Sequence, residues 1–512
     1  MPGRVGLEFQ FSQPRRQTAM RPDDESPMRI LVMGDFSGRA SCSNEDAADL
    51  ATRPLIPVDI DNFDKVFSRM APNLRLQLGH AAAALPIAFS QLDDFHPDKL
   101  YGRLSLFAAL RDTRARLQNP ATFAATAASL QPANNVSIPS SQPLTVTTNP
   151  VVAEDTAATV ERLLGKRVEQ AATPNANAAS GAGIDAFIRQ VIAPHIVPAT
   201  SPEQEQYVTS VEVAIGEQMR AILHHPAYQA LESAWRGIYW LISEINFGEQ
   251  LQLYLLDVTH EELQMASRSN ESEPENAALC RVLTAHSEAH DDVPWSLLLG
   301  NYTFSAGERD VELLAWLGAI ASHAGGPFLA GAETSVFGCR SVVDTPDPRD
   351  WQVADPATAQ RWQALRRSAI APWLGLVSPR MLLRQPYGKK SDVINSFAFE
   401  ELTALPAHEG YLWGNAALGA ALLIGRAFLE QSWAMQPGDE QNIEGLPSYV
   451  SEFKGEKILQ ACAEVYLSDR AGEAILAAGL MPLVSLKNQN AVRMIRFQSL
   501  ADPLQMLAGP WC

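Results

Sequence analysis

Residues 29–36 read Arg-Ile-Leu-Val-Met-Gly-Asp-Phe (RILVMGDF), a continuous apolar run that ends at Gly-Asp. This is the pattern of a buried strand followed by a turn. Downstream, Pro54–Ile60 (PLIPVDI) alternates imperfectly and leads into DNFDKVFSRM. There Asp61 or Asn62 is placed to cap a helix whose Phe63, Val66, Phe67 and Met70 share one face. Pro86–Leu92 (PIAFSQL) reads as another strand, and Leu100, Leu104, Phe107, Leu110 and Leu117 then recur at helical spacing. The alternation predicts an α/β unit over residues 28–120, behind a tail of residues 1–27.

From 121 to 183 the composition shifts to Ala, Thr, Asn, Ser and Pro, as in QPANNVSIPSSQPLTVTTNP, which can bury little and predicts a flexible linker. Inside it, EDTAATVERLLGKRVEQ places Val160, Leu163, Leu164 and Val168 near helical spacing. The stretch reads either as a short docking helix or as a solvated segment, since isolated helices this short are marginal. Residues 184–512 alternate again. IDAFIRQVIAP and SVEVAIGEQMRAILHHPAYQALESAWRGIYWLISEI are helical, the latter broken at His225 by HHP, and LQLYLLDV and VPWSLLLGNYTF are strand-like. VELLAWLGAIASHA is helical and GPFLAGAE is a strand entering a loop. The expected fold class is mixed α/β (α+β): two α/β units joined by a flexible linker.

The chain has 512 residues, too many for one ordinary core, and its 46% apolar and 19% charged residues suit a globular protein. A net charge of −18 argues against a chain whose main task is holding nucleic-acid phosphates. Cys42, Cys280, Cys339, Cys462 and Cys512 form neither a CxxC pair nor an even set, so a disulfide framework and a thiolate zinc site are both disfavoured and a reducing cytoplasm is expected. No apolar run is long enough to insert in a membrane, and Ala416–Phe428 reads as a buried helix.

Candidate chemistry is thin. Gly34-Asp35-Phe36-Ser37-Gly38-Arg39 follows a strand as a phosphate loop would, but it lacks the Lys of GxxxxGK[ST] and reads as a tight turn. Gly388-Lys389-Lys390-Ser391 lacks the preceding Gly and reads as an exposed basic loop. Asp93-Asp94-Phe95-His96-Pro97-Asp98 has metal-ligand residue types but no second ligand cluster, and capping is the simpler reading. His224-His225 lacks the spacing of HExxH and reads as a helix terminus. With no GxSxG elbow either, no catalytic, cofactor or metal residue is assigned, and no enzyme activity or cofactor is expected.

Taken together, RILVMGDFSGR (29–39), RPLIPVDIDNFDKVFSRMAPNLRL (53–76) and the LDDFHPDKL block resemble, in order and spacing, the small sheath subunit of type VI secretion systems, known as TssB or VipA. HHPAYQALESAWRGIYWLI (224–242), HAGGPFLAGAETSVFG, MLLRQPYGKKSD, YLWGNAALGAALLIGRAFLEQSW and AGLMPLVSLKNQNAVRMIRFQSL resemble the large subunit, TssC or VipB. The resemblance implies a fused sheath subunit that assembles with other copies of itself around an inner tube protein, on baseplate components, and contracts to drive the tube outward. It also implies recycling by an AAA+ unfoldase, for which the Val160, Leu163, Leu164, Val168 stretch is the candidate docking helix by position. The aromatic blocks around Trp235, Trp362, Trp373, Tyr387 and Trp413 read bottom-up as packing residues. Large subunits of the family continue beyond FQSLADP into a further segment, so an alternative expectation is a non-polymerising accessory or baseplate factor of the same machine.

Overall fold

The computed structural model describes residues 25–42, 50–78, 84–130, 204–268, 277–289, 293–352, 355–403, 408–453 and 456–511. They divide into two bodies: one takes the chain up to Leu100 together with everything from Gln218 onward, the other Tyr101–Glu217.

The larger body is organised by a nine-stranded sheet. Its strands are β1 (Met28–Gly34), β2 (Ile56–Pro57), β3 (Leu251–Asp257), β4 (Leu297–Phe304), β5 (Phe328–Ala332), β6 (Leu374–Ser378), β7 (Asn442–Ile443), β8 (Met481–Ser485) and β9 (Val492–Met494). They lie in the order β7-β9-β8-β6-β5-β4-β1-β3-β2. From β8 through β3 neighbouring strands run parallel, and β2, β7 and β9 join antiparallel at the edges. Parallel strands covered on both faces need continuous apolar sequence, and all seven residues of β1 are buried.

The apolar run that opens the chain's first unit therefore lies inside a sheet, third from one edge, whose other long strands come from the second. Met28–Gly34 pairs residue for residue with Leu251–Asp257 on one side, and Ile30–Met33 pairs with Leu297–Gly300 on the other. The mixed α/β class is as expected from the alternation of patterns; the sharing of one sheet by residues 28–57 and 251–494 is not visible in that alternation.

On one face Leu31, Met33, Leu256, Leu298 and Phe328 pack in a common core with Leu279 and Leu283 of the helix Ala278–Glu288 and Leu313, Leu317 and Ile320 of the helix Glu308–Ala324. The helices Pro226–Glu244 and Ala417–Gln431 pack on each other elsewhere in the body. They approach closely at Gly237, where a Cβ would press on Leu418. His225 caps the first of these helices, its Nδ1 accepting from Ala227 N–H, with Pro226 in the first turn. The helix Phe63–Met70 forms as its apolar spacing predicts, but its cap differs. Asn62 occupies the N-cap position without a side-chain cap bond, while the Asp59 carboxylate accepts the N–H groups of Asp61 and Asn62.

In the smaller body, helices Ser105–Gln118 and Pro120–Leu130 meet the first part of the helix Gln204–Leu223. Arg114 forks onto Glu212 Oε1 (2.9 and 2.5 Å), and Gln204 Nε2 closes the end of the first helix by donating to the carbonyls of Leu117 and Gln118. Residues 121–130, which composition places in the linker, are thus helical. Ala-rich sequence is also the best helix former, and Ala127 and Leu130 find an apolar contact to bury into. Val160, Leu163, Leu164 and Val168 lie outside the described residues. No described helix is long and apolar enough to cross a membrane.

Candidate functional site: the seam between the two sequence units

Part-buried ion pairs and a cluster of aromatic rings lie where residues 25–100 meet residues 218–511. At the carboxyl end of β1, Gly38 takes φ +78°, and a Cβ there would collide with the Asn73 carbonyl oxygen, so the turn requires glycine. The backbone N–H groups that a phosphate would need are already used. Those of Phe36 and Ser37 donate to Asp257 Oδ1 (2.9 and 3.1 Å), and those of Arg39 and Ala40 donate to the Asp35 carboxylate (2.9 Å each). The loop is a carboxylate-filled turn rather than an anion cradle. Burial, with Asp257 close by, pushes the Asp35 carboxyl up.

Arg39 and Arg53 reach from the first unit to the second. Arg53 meets Glu262 at 2.6 and 2.9 Å and the Asp257 carbonyl at 3.1 Å, and Arg39 donates to the same carbonyl at 2.8 Å. Glu262 in turn accepts from Thr259 N–H while its own N–H donates to Thr259 Oγ1, a capping box on the helix His260–Arg268. Burial alone would raise Glu262, but Arg53 and the Thr259 N–H hold it below the usual carboxylate range.

Beside this loop stands an aromatic wedge. Trp235, fully buried on the helix Pro226–Glu244, touches the rings of Phe36, Phe63 and Phe67 at centroid distances of 5.5, 5.7 and 4.5 Å, and its Nε1 donates to the Phe36 carbonyl at 2.8 Å. Two turns away Tyr228 donates its hydroxyl to the Phe95 carbonyl (2.7 Å) and packs on Phe89 and Phe95. Each of these contacts joins the two units.

In the Asp-rich segment 93–98, Asp94 accepts the N–H groups of Ser90 and Gln91, and Asp98 accepts those of Asn395 and Ser396 across the seam at 3.1 and 3.0 Å. His96 lies 3.9 Å from both Asp98 and Asp392. Among the described residues no group of His, Cys, Asp and Glu is arranged to hold a metal ion. Lys389 and Lys390 are exposed, as a basic loop requires.

Behind the seam lies a buried ionic node on which sequence reading put no weight. Arg384 donates to Glu401 with both terminal nitrogens (2.8 and 2.9 Å) and to Glu232 with Nε (2.9 Å), while Arg236 binds Glu232 (2.7 Å) and the Tyr387 hydroxyl (3.1 Å). Glu232 and Glu401 are 0% and 1% exposed, so each carboxylate depends on protein partners in place of water, Glu401 also accepting the Tyr387 N–H at 2.7 Å. Two sequence signals mark the node: an Arg inside the apolar run MLLRQPY (381–387), and a Glu on the buried stripe Tyr228, Leu231, Glu232, Trp235.

Burial alone would raise Glu401, but Arg384 and the Tyr387 N–H bring it down to about 2. An ordinary Glu in the unfolded chain takes up its proton at higher pH, so folding stability is full above about pH 4.5 and is lost as pH falls toward about 2, by on the order of 3 kcal/mol for this group. Urea midpoints are therefore expected to be flat from neutral pH to about pH 5 and to drop steeply below about pH 4.5. Glu401→Gln should flatten that acid limb; an unchanged slope would mean other carboxylates carry it.

Chemically, the seam offers packed rings, ion pairs across the two units and loop N–H groups that carboxylates already take, an arrangement suited to holding two pieces of chain together. Comparison with known proteins gives the same two pieces. The family described as EvpB/VC_A0108, tail sheath N-terminal domain, matches residues 205–501, and the family described as Type VI secretion system, VipA, VC_A0107 or Hcp2, matches residues 3–132. Among curated proteins, the type VI secretion system sheath protein TssC1 of Pseudomonas aeruginosa is 29% identical over 310 residues, 59% of this chain and 62% of that protein. The sheath protein TssB1 of the same organism is 28% identical over 102 residues, 19% of this chain and 58% of that protein. The chain thus spans 62% and 58% of the lengths of these two relatives.

Proposed function

Because the chain belongs to the tail sheath family through residues 205–501 and carries a VipA-type segment ahead of that domain, we propose that it is a fused structural subunit of a type VI secretion sheath. In this reading it polymerises with further copies around an inner tube protein, starting on baseplate components in the bacterial cytoplasm, and contracts to drive the tube outward. It is not an enzyme in this reading: work comes from the lattice, and Glu262 of the seam and the buried Glu232 and Glu401 of the node are held in ion pairs.

The observation that carries this reading is β1. A segment of small-subunit type supplies an interior strand, together with the short edge strand β2, of a sheet whose other strands come from a segment of large-subunit type. Fusion sets the two at one-to-one stoichiometry and, by tethering, at high effective concentration. Recycling by an AAA+ unfoldase would engage Val160, Leu163, Leu164 and Val168, and Leu163→Asp with Leu164→Asp should abolish that binding.

The test is negative-stain electron microscopy of the purified chain, alone and with its tube protein. Long cross-striated tubes are expected. Discrete particles alone, at high concentration and with tube protein present, would overturn the polymerising reading in favour of an accessory or baseplate role.

A further inference from the structure

A second, smaller core sits apart from the main one. Met381–Leu382 and Trp413–Gly414 pair as a two-stranded antiparallel sheet, and Leu382, Tyr411 and Trp413 form a hydrophobic cluster of their own, with Leu402 and Tyr449 against it. Its backbone is closed by Leu382 N–H to the Cys462 carbonyl (2.7 Å) and Leu383 N–H to the Leu412 carbonyl (3.1 Å). Three stretches of chain meet here: 380–383, 408–414 and 460–464.

One side chain ties all three. Glu464 accepts from the N–H, Nε and Nη2 of Arg380 (2.9, 2.9 and 2.6 Å), and His408 Nε2 lies 3.0 Å from the same carboxylate. Arg380 extends the grip to Glu409 at 3.1 Å, and Trp413 Nε1 donates to the His408 carbonyl at 2.8 Å. The Glu464 side chain is only 4% exposed, and its backbone takes φ +47°, a left-handed conformation that a residue with a Cβ holds only when its surroundings enforce it. A small core with its own strand pair, held by a carboxylate in a strained turn, has the makings of a unit that opens separately from the rest.

We propose that Glu464 is a latch: its bonds to Arg380 and His408 keep the small sheet shut, and releasing them lets the stretches 380–383, 408–414 and 460–464 open while the nine-stranded sheet stays folded. The closed latch is the state described above. Opening it would change the surface that this side of the body presents without unfolding the seam, because the Arg384 node and the Trp235 wedge hold on to other residues.

Hydrogen exchange of the full chain, read peptide by peptide, tests this. In Glu464→Gln, peptides covering the three stretches should exchange at least ~10-fold faster than in the unaltered chain, while peptides covering 28–34 and 297–304 keep their rates. Arg380→Gln, which removes the partner and leaves the turn, should reproduce the pattern. Unchanged exchange in the three stretches overturns the proposal. So does equal acceleration everywhere, or failure of both variants to fold, since the node would then belong to the global fold.

Discussion

Replacing Arg384 with Ala is expected to cost about 3–5 kcal/mol of folding stability, the range for removing one partner of a buried ion pair. The cause is less the lost attraction than what remains. Glu401 is left with the Tyr387 N–H and a His224 nitrogen 3.6 Å away, and Glu232 with Arg236 alone, both carboxylates out of reach of water. Lys at this position should recover only part of the loss, because a single ammonium cannot reproduce a fork that meets two carboxylates at once. Replacing Arg384, Arg236, Glu232 and Glu401 together by apolar residues of similar volume should be milder than Arg384→Ala alone, because no charge is then left without its partner. Denaturant midpoints of the three variants decide this: a quadruple variant worse than the single one would mean that the node is worth more than its desolvation.

Trp235→Ala should destabilise by a similar amount, about 3–5 kcal/mol, from the cavity it opens among Phe36, Phe63 and Phe67. The Phe36 carbonyl also loses its indole donor, which adds about 1 kcal/mol. Trp235→Phe keeps much of the packing and should lose mainly the smaller part. The two substitutions differ in what they break. The Arg384 node lies wholly within residues 218–511, whereas the ring contacts of Trp235 with these phenylalanines are all to the first unit. Trp235→Ala should therefore weaken the hold of one unit on the other, and Arg384→Ala should weaken the second unit itself.

How much of this was legible in the sequence depends on the range of the interaction. Strand β1, the helix Phe63–Met70, the break at His225 and the buried helix Ala417–Gln431 follow from local periodicity and from where Pro and Gly fall. The family was legible from the order of several blocks. The shared sheet was not, because a run such as RILVMG states only that it is buried on both faces and not which strands cover its edges. Nor were the pairs Arg39–Asp257, Arg53–Glu262 and Arg384–Glu401, since a charged residue in sequence is ordinarily a surface residue and its partner lies far along the chain. Asp98 was read as a cap; it does hold N–H groups, but those of Asn395 and Ser396 rather than of its own helix.

The most direct measurement concerns β1. A specific protease site placed between residues 140 and 180, in the Ala-, Thr-, Asn- and Pro-rich stretch of sequence, is the means of cutting the purified full chain once after folding. If β1 is an interior strand of a common sheet, the two fragments should stay together through size-exclusion chromatography and unfold in a single thermal transition, and Trp235→Ala should let them part at lower denaturant. Fragments that separate on cutting and melt in two independent transitions would contradict the shared sheet, and with it the reading of this chain as one fused subunit.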